Sequence, residues 1–521
     1  MKHSVYSVIL ILSYLGLSAQ NPGDLNTDFA AGGFFIEYWD DTISRAFDIG
    51  VSSEGNLILP GFYESVGSED NQIFVMSLDS LGNILPFGNS DRGLSHDIST
   101  GEYATKVVML PDDKMLVAGN YTQDINYRPF VIRLNSDGSK DENFADNGVL
   151  MMSGIPMRVT DAEVFYDEGS YKIILSGESY DFRPILIMIN EDGMMESSFG
   201  TLGVMFYYTF LGYFTDIIID NEKDKLYAGM VSYADEALLL KYSLPAGTPD
   251  TLFGIGGMLS SESLAELEIR FDALIFDKQN DLLTAFGTYT HPDGDLDICA
   301  FRANASDGST DQSFGLNGWA WLRSAGSDER ILNAIQQSDG KYYIGGYTDY
   351  LGTDDFMVGR LKFNGALDNT FGTGGLVVTE DIMGMVSPDS FHEKIQGLAL
   401  SPLENTLYAA GFSFSGDWQA IMVIAYHTGY IMEEHPVGLT EDRSLPVTVY
   451  PNPAVDRITV KTEQQGIHRI RIRDITGRIL LERYCPGESI DLSLEGMLPS
   501  IYLIEVTLPG LQVITEKIII Q

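Results

Sequence analysis

A short pattern recurs along most of the chain and constrains its fold more than any other property: Phe, then Gly or Ala, two variable positions, and Gly. It stands at Phe29-Ala30 to Gly33, Phe144-Ala145 to Gly148, Phe199-Gly200 to Gly203, Phe253-Gly254 to Gly257, Phe314-Gly315 to Gly318 and Phe371-Gly372 to Gly375, with a degenerate copy at Phe87-Gly88. Successive Phe residues lie 58, 57, 55, 54, 61 and 57 positions apart. Three residues ahead of Phe most copies carry an acid, namely Asp141, Glu196, Asp250, Asp311 and Asp368, and the first carries Asn26. A fixed period in this range is the signature of stacked units, none of which buries its apolar face alone.

A second landmark has the same period. Short apolar strands end in Gly at Gly61, Gly119, Gly177, Gly229, Gly287, Gly346 and Gly411, most of them after turn residues such as Glu54-Gly55, Asp112-Asp113 and Asp339-Gly340. Each is followed by another apolar strand (FVMSL, FVIRL, ILIMI, ALLLKY, ICAFR, FMVGRL, AIMVIAY) and a Gly turn, at Gly82, Gly138, Gly193, Gly247, Gly308, Gly365 and Gly429. Seven units of about 58 residues, built from β-branched and aromatic strands with tight turns, predict an all-β chain forming a seven-bladed β-propeller. Unit seven stops after Gly429 without its acid-x-x-Phe segment, and the stretch DLNTDFAAGG (24–33) is that segment. The N-terminal strand is therefore expected to close the last blade. An open β-solenoid is the other arrangement the repeats allow.

These motifs resemble the delta-60 repeat family: a DGK-type turn, an apolar strand ending in Gly, an apolar strand with Arg, then DG-x-LD-x-x-FG-x-x-G. Unit six, SDGKYYIGG to FMVGRLKFNGALDNTFGTGG, matches almost throughout, and the resemblance covers about residues 24–430. It implies a propeller-like repeat of secreted proteins with no common catalytic activity. Unit one departs at Phe87, where the distal Gly is displaced.

Recurrence within one chain favours structural roles: Phe fills space between blades, Gly supplies positive φ or close approach, and the acid ties down a turn. The loops after the second strands offer more for function, because the symmetry puts all seven on one face. Six contain Tyr and the seventh Trp, which gives Tyr63, Tyr121, Tyr127, Tyr180, Tyr233, Tyr289, Tyr347 and Trp418 as candidate ligand-binding residues. Aromatics among carboxylates suit sugar stacking, Ca²⁺ capture or a cationic partner; a solvated rim whose Tyr rings cap the blade edges is the plain alternative. In HPDGDLD, the residues Asp293, Asp295 and Asp297 alternate as calcium ligands do, without the closing bidentate Glu of an EF-hand. Seven scattered His form no HExxH, no paired CxxC or GxxxxGK is present, and Ser338 with Lys341 spell S-x-x-K only inside a hairpin turn.

The 74 acidic against 32 basic residues give a formal charge of −42, which argues against nucleic acid and anionic membranes as partners and leaves polycations, divalent metals and neutral glycans. Cys299 and Cys485 fall in different domains and read as packed or free thiols. Lys2 precedes an apolar stretch from about Val5 to Leu17, so residues 1–20 read as a signal peptide and no further stretch reads as a membrane span.

Residues 21–430 read as the propeller, 431–446 as a linker and 447–521 as a small domain resembling an Ig-like β-sandwich. That last segment holds eight basic and nine acidic residues from 446 onward, so the acidity belongs to the propeller. Its motifs, Tyr450-Pro451-Asn452-Pro453, Asp456, Asp474 with Gly477-Arg478, Tyr502, Gly510 and the closing Lys517-Ile518-Ile519, resemble the C-terminal sorting domain of the type IX secretion system of the Bacteroidetes. The Gly that usually precedes the Tyr strand is absent from LPSIYLIEV. The resemblance implies recognition by the type IX translocon, removal of the domain, and release or attachment at the cell surface. Tyr450, Pro451, Asn452, Pro453, Gly477, Arg478 and Lys517 then serve sorting. The expected function is binding or adhesion toward a glycan, another extracellular polymer or a protein. A polysaccharide-degrading enzyme with carboxylates near the axis, and a structural surface component without a discrete ligand, stay open.

Overall fold

A computed structural model describes residues 21–430 and 447–520, apart from short stretches of which 380–391 is the longest. The expected signal peptide and linker lie outside the described residues. The chain divides into two compact units, 1–432 and 433–521. No helix among the described residues is long and apolar enough to cross a membrane.

The first unit holds seven antiparallel sheets of four to six strands. The third is typical: Met157–Asp167, Ser170–Ser179, Pro184–Asn190 and Val204–Phe206 pair in chain order from the inside outward. The innermost strand of each sheet packs on that of the next, and the seventh, His392–Leu400, packs on Gly50–Val51 of the first, which makes the array a ring. Second and third strands such as Met115–Gln123 and Asn126–Leu134 are buried on both faces between neighbouring blades. Hence they read as unbroken apolar runs, without the alternation of a sheet that has one wet face.

The repeated Phe residues are the pegs between blades. Phe29, Phe144, Phe199, Phe253, Phe314 and Phe371 are completely buried, and Phe87 nearly so. Each peg lies against the Gly turn of the following unit: a Cβ at Gly247 would stand 2.6 Å from Phe199, and one at Gly365 2.8 Å from Phe314. The residue after each Phe donates its amide to that same turn, as in Ala145 N to Asp192 O (3.1 Å), Gly254 N to Asp307 O (2.8 Å) and Gly315 N to Asn364 O (2.8 Å). Gly88 N reaches Asp137 O at 2.8 Å, so the degenerate first unit keeps the link.

The acid ahead of Phe works in two directions. One oxygen of Asp311 accepts from Ser313 N (3.0 Å) and fixes the turn, while the other meets Arg302 Nε (2.7 Å) from the third strand. Arg302 stacks on Phe314, 4.6 Å from guanidinium carbon to ring centre, and donates to the Phe363 carbonyl of the next blade. Arg133 with Asp141, Phe144 and the Glu191 carbonyl, and Arg360 with Asp368, Phe371 and the Thr428 carbonyl, repeat the arrangement. In the fourth blade Lys241 takes the place of Arg, reaching Asp250 (3.3 Å) and the Ala305 carbonyl (2.8 Å).

The seventh blade is assembled from both ends of the unit. Phe34–Glu37 pairs antiparallel with the strand Trp418–His427, Phe34 opposite Ile424. Upstream, Gly23 N donates to His427 O (2.7 Å), Asn26 N to Ala425 O (2.8 Å), and Gly372 N to Pro22 O (2.9 Å), so Pro22-Gly23 stands where other blades have a Gly turn. Asn26, in the place of the acid, donates to Thr406 Oγ1 at 3.2 Å.

The second unit consists of a three-stranded sheet (Val447–Tyr450, Arg457–Thr462, Ser489–Ser493) and a four-stranded one (Ile479–Gly487, Ile467–Arg473, Ser500–Thr507, Val513–Ile520). They share a core of Ile458, Val460, Ile470, Ile472, Ile504, Val506 and Ile518. Tyr450 is exposed where its strand ends, followed by exposed Pro451 and Asn452, and Lys517 pairs in register with Leu503. Pro453, Gly477 and Arg478 lie outside the described residues.

Candidate functional site

Six innermost strands are bulged at one equivalent place, for example between Val159 and Asp161, Phe271 and Ala273, and Ile331 and Asn333. In five of these blades, and in the first, a carbonyl lies against the Gly that ends the second strand. A Cβ at Gly287 would stand 1.8 Å from Arg270 O, one at Gly346 1.8 Å from Arg330 O, and one at Gly411 1.9 Å from Lys394 O. No side chain fits there, which is the physical reason for six of the seven copies of the second sequence landmark; in the fourth blade Met230 takes the equivalent place opposite Phe214, and a Cβ at Gly229 would instead stand 2.8 Å from Thr215 Oγ1.

The residues owning those carbonyls form a ring around the axis: Arg45, Tyr103, Arg158, Arg270, Arg330 and Lys394, with Tyr213 at the equivalent place in the fourth blade. All seven are partly exposed. Aromatic planes hold most of the cations: Arg45 lies 4.7 Å over Phe412, Arg158 and Arg270 each 5.6 Å from the Tyr213 ring, and Lys394 4.1 Å over Tyr347. Arg270 Nη1 donates to Tyr213 Oη (2.7 Å) and its Nε pairs with Asp272. Arg158 pairs with Glu178 (3.2 Å), and Lys394 with Asp354 (3.0 Å). Arg45 Nε donates to Gln419 Oε1 (2.7 Å), and the Arg330 side chain makes no hydrogen bond or contact ion pair with a described residue, acting only at longer range on Asp272.

Deeper along the axis stands an acidic layer around one ammonium. Lys106 Nζ is 3.0 Å from Asp161 Oδ1; burial opposes its charge, yet the carboxylates of Asp161, Asp48, Asp216 and Glu163 push its pKa well above the ordinary value. Three of these acids also accept a main-chain amide of the next blade: Asp48 from Val107 (3.0 Å), Asp161 from Ile217 (2.9 Å) and Asp216 from Leu274 (2.6 Å). Their chemistry is committed to holding the ring. Burial raises the pKa of Asp48 and, far more, of Asp216.

Glu163 has no such amide from the next blade, and burial together with neighbouring Asp161 raises its pKa from 4.5 to about 7. Between those values the folded protein holds the proton more tightly than the unfolded chain, so Glu163 contributes stability at acid pH that is lost as pH rises through 7. Glu163→Gln is expected to raise the thermal midpoint at pH 8, with a ceiling of about 3 kcal/mol, and to leave it unchanged at pH 4. Equal effects at both pH values contradict this assignment.

The sequence-predicted aromatics separate into three groups. Tyr180 and Tyr233 are exposed (67% and 53%), as is Tyr127 (44%). Tyr233 donates to Glu178 and meets Phe182 edge-on at 6.1 Å, which ties this patch to Arg158. Tyr63 is half-buried, bonded to Gln72, and Tyr347 lies beneath Lys394. Tyr121 and Tyr289 are buried, at 3% and 5%. The side chain of Trp418 lies outside the described residues. Sequence reasoning missed Tyr38, Phe182, Tyr208 and Tyr350, all exposed (42%, 58%, 70% and 66%).

The calcium-like alternation is divided by the fold. Asp297 is fully buried beside Tyr289, Asp295 accepts from Gly326 N (3.2 Å), and Asp293 lies outside the described residues. Among the described residues no group of three or more His, Cys, Asp or Glu is placed to hold a metal ion. Cys299 is a buried free thiol whose pKa burial pushes well up.

Two families match this chain. Residues 110–144 and 337–371 match a β-propeller domain of unknown function, and residues 448–521 match the secretion system C-terminal sorting domain. The tail thus marks a protein sent by the type IX system to the cell surface or extracellular space. No curated protein matches the chain. Among solved structures it is similar to the polysaccharide lyase Uly1 (10% identity over 74% of this chain and 90% of that one, TM-score 0.42). It is similar also to Sqt1 from Chaetomium thermophilum (12%, 77% and 99%, TM-score 0.41). PorZ, a surface component of the type-IX secretion system of Porphyromonas gingivalis, matches at 10% identity over 94% and 100%, with a TM-score of 0.18. Likenesses at these scores carry no argument about activity.

Proposed function

We propose that this exported propeller is a binding module whose loop face holds an extracellular polymer, most naturally a glycan. One observation carries the reading. Six of the seven exposed aromatic side chains among the described residues of the first unit (Tyr38, Tyr180, Phe182, Tyr208, Tyr233 and Tyr350) lie in a loop entering a first strand or leaving a second, and the seventh, Tyr127, stands at the start of a third strand, just beyond such a loop. In an antiparallel four-stranded blade those two loop sets share one face. Most exposed aliphatics, such as Leu81, Met194, Leu252, Ile255, Leu316 and Leu403, lie in other loops, and only Ile125 and Leu211 among the described residues of the unit share the aromatic face. Flat rings with polar tips, gathered on one side, are suited to stacking against sugar rings at low entropic cost. The commitment of Asp48, Asp161 and Asp216 to main-chain amides supports binding over hydrolysis.

The test is a glycan array followed by titration of hits onto the chain from residue 21. Tyr180→Ala with Tyr233→Ala is expected to weaken binding at least tenfold, about 1.4 kcal/mol, with an unchanged thermal midpoint. Undiminished binding by that variant, or no hit on the array, counts against the reading.

A further inference from the structure

We infer that the axial ring is an anion-recognition site, and that the polymer held by this face is a polyanionic glycan bearing carboxylate or sulfate groups. The inference rests on the glycan-binding reading and specifies its ligand class.

The observation is a concentration of positive charge where the composition makes it least expected. Lys and Arg are 32 of 521 residues, outnumbered by 74 acids, yet five of the seven symmetry-equivalent ring positions are basic. Packing alone does not ask for a cation here, since Tyr103 and Tyr213 fill the same place in two blades. The locking cations Arg133, Arg302 and Arg360 are fully occupied between blades, whereas the ring cations are partly exposed.

Two further features make the ring a receptor for anions. Stacking on Phe412, Tyr213 and Tyr347 fixes the charged groups of Arg45, Arg158, Arg270 and Lys394, so little side-chain entropy is left to lose on binding. Moreover, Arg158, Arg270 and Lys394 each have one carboxylate partner in contact, whereas no contact ion pair with a described carboxylate occupies Arg45 or Arg330, the latter acting on Asp272 only at longer range. A guanidinium presents a planar fork of donors matched to a carboxylate or sulfate. The strong overall negative charge does not cancel this, because at physiological salt it is screened beyond about 8 Å while a contact ion pair is not.

Polymers of one backbone and two charge states separate this inference from the reading beneath it. Polygalacturonate and its fully methyl-esterified counterpart, dextran sulfate and dextran, are titrated onto the chain from residue 21 at 150 mM salt. The anionic member of at least one pair is expected to bind tenfold or more tightly than its neutral partner. Arg45→Gln with Arg330→Gln should erase that preference while leaving any binding of the neutral member intact, and Arg330→Lys should restore part of it. Thermal midpoints of the variants report folding independently. Equal binding of charged and neutral members, or a preference that survives the double variant, overturns the anion site; where that binding still depends on Tyr180 and Tyr233, the glycan reading survives. Binding of none of the four overturns this inference, and the glycan reading then stands or falls on the array.

Discussion

A chain lacking residues 21–37 is expected to lose the cooperative unfolding transition of its first unit and to aggregate. The deletion removes Phe34–Glu37, leaving Trp418–His427 as an open sheet edge, the kind of surface that recruits other chains. It also withdraws Phe29, which is fully buried and packs 5.5 Å from Tyr408, and breaks the link from Gly372 N to Pro22 O. Phe29→Ala alone should cost about 3–5 kcal/mol by cavity formation. Loss of the whole segment removes several such contributions at once. A synthetic peptide of residues 21–37 is expected to restore part of the transition by adding back as a strand. Scanning calorimetry with light scattering decides the matter: a deleted chain that melts at the parental temperature, monomeric and cooperative, would mean that the ring closes some other way.

The second large effect is expected at Arg302. Its side chain is completely buried, bridges Asp311, Tyr342 and the Phe363 carbonyl, and lies between the rings of Phe314 and Phe363 at 4.6 and 4.3 Å. Arg302→Met keeps the volume and the apolar stem but strands the Asp311 oxygen and the Phe363 carbonyl. Breaking a buried pair from one side costs about 3–5 kcal/mol. Arg302→Lys should recover only part of this, since one ammonium cannot serve a carboxylate and a carbonyl in the fork geometry. Urea denaturation of the three proteins measures it. A loss below about 1 kcal/mol for Arg302→Met would assign the interblade link to Phe and Gly alone.

Arg302 also shows which parts of the fold are legible without coordinates. Phe, its acid and the Gly turn recur because each blade meets its neighbour through the same peg, so the period exposes them. The ring of cations obeys the same symmetry but escapes notice, because its strand carries no Gly at a recurring position and hairpins of different length intervene. Arg158 stands 19 residues ahead of its Gly, Arg45 and Arg330 only 16. The place to look was the Gly ending the second strand, whose tight approach in six of the seven blades is to the ring residue's own carbonyl.

Reading the rim by residue type alone also mixed two directions. Side chains on a strand alternate, and the position two after that Gly points between blades: Tyr121, Ser179, Tyr289, Thr348 and Ser413 are all buried there. Tyr180 and Tyr233 fall beyond the strand's regular part and reach solvent. The net charge, for its part, described the whole surface, whereas the axial mouth is decided by five residues.

Because each Phe peg is seated by the turn of the following unit, the sequence repeat and the structural blade are out of phase, and no single repeat contains a finished socket. An open row of such units would always leave one peg unseated and one turn unfilled, and would need a separate cap at each end. Closing the row into a circle removes that need. Growth by duplication is then free of capping but quantised: the chain can change only by whole periods, and each added unit has to be accommodated by changing the angle between all the others.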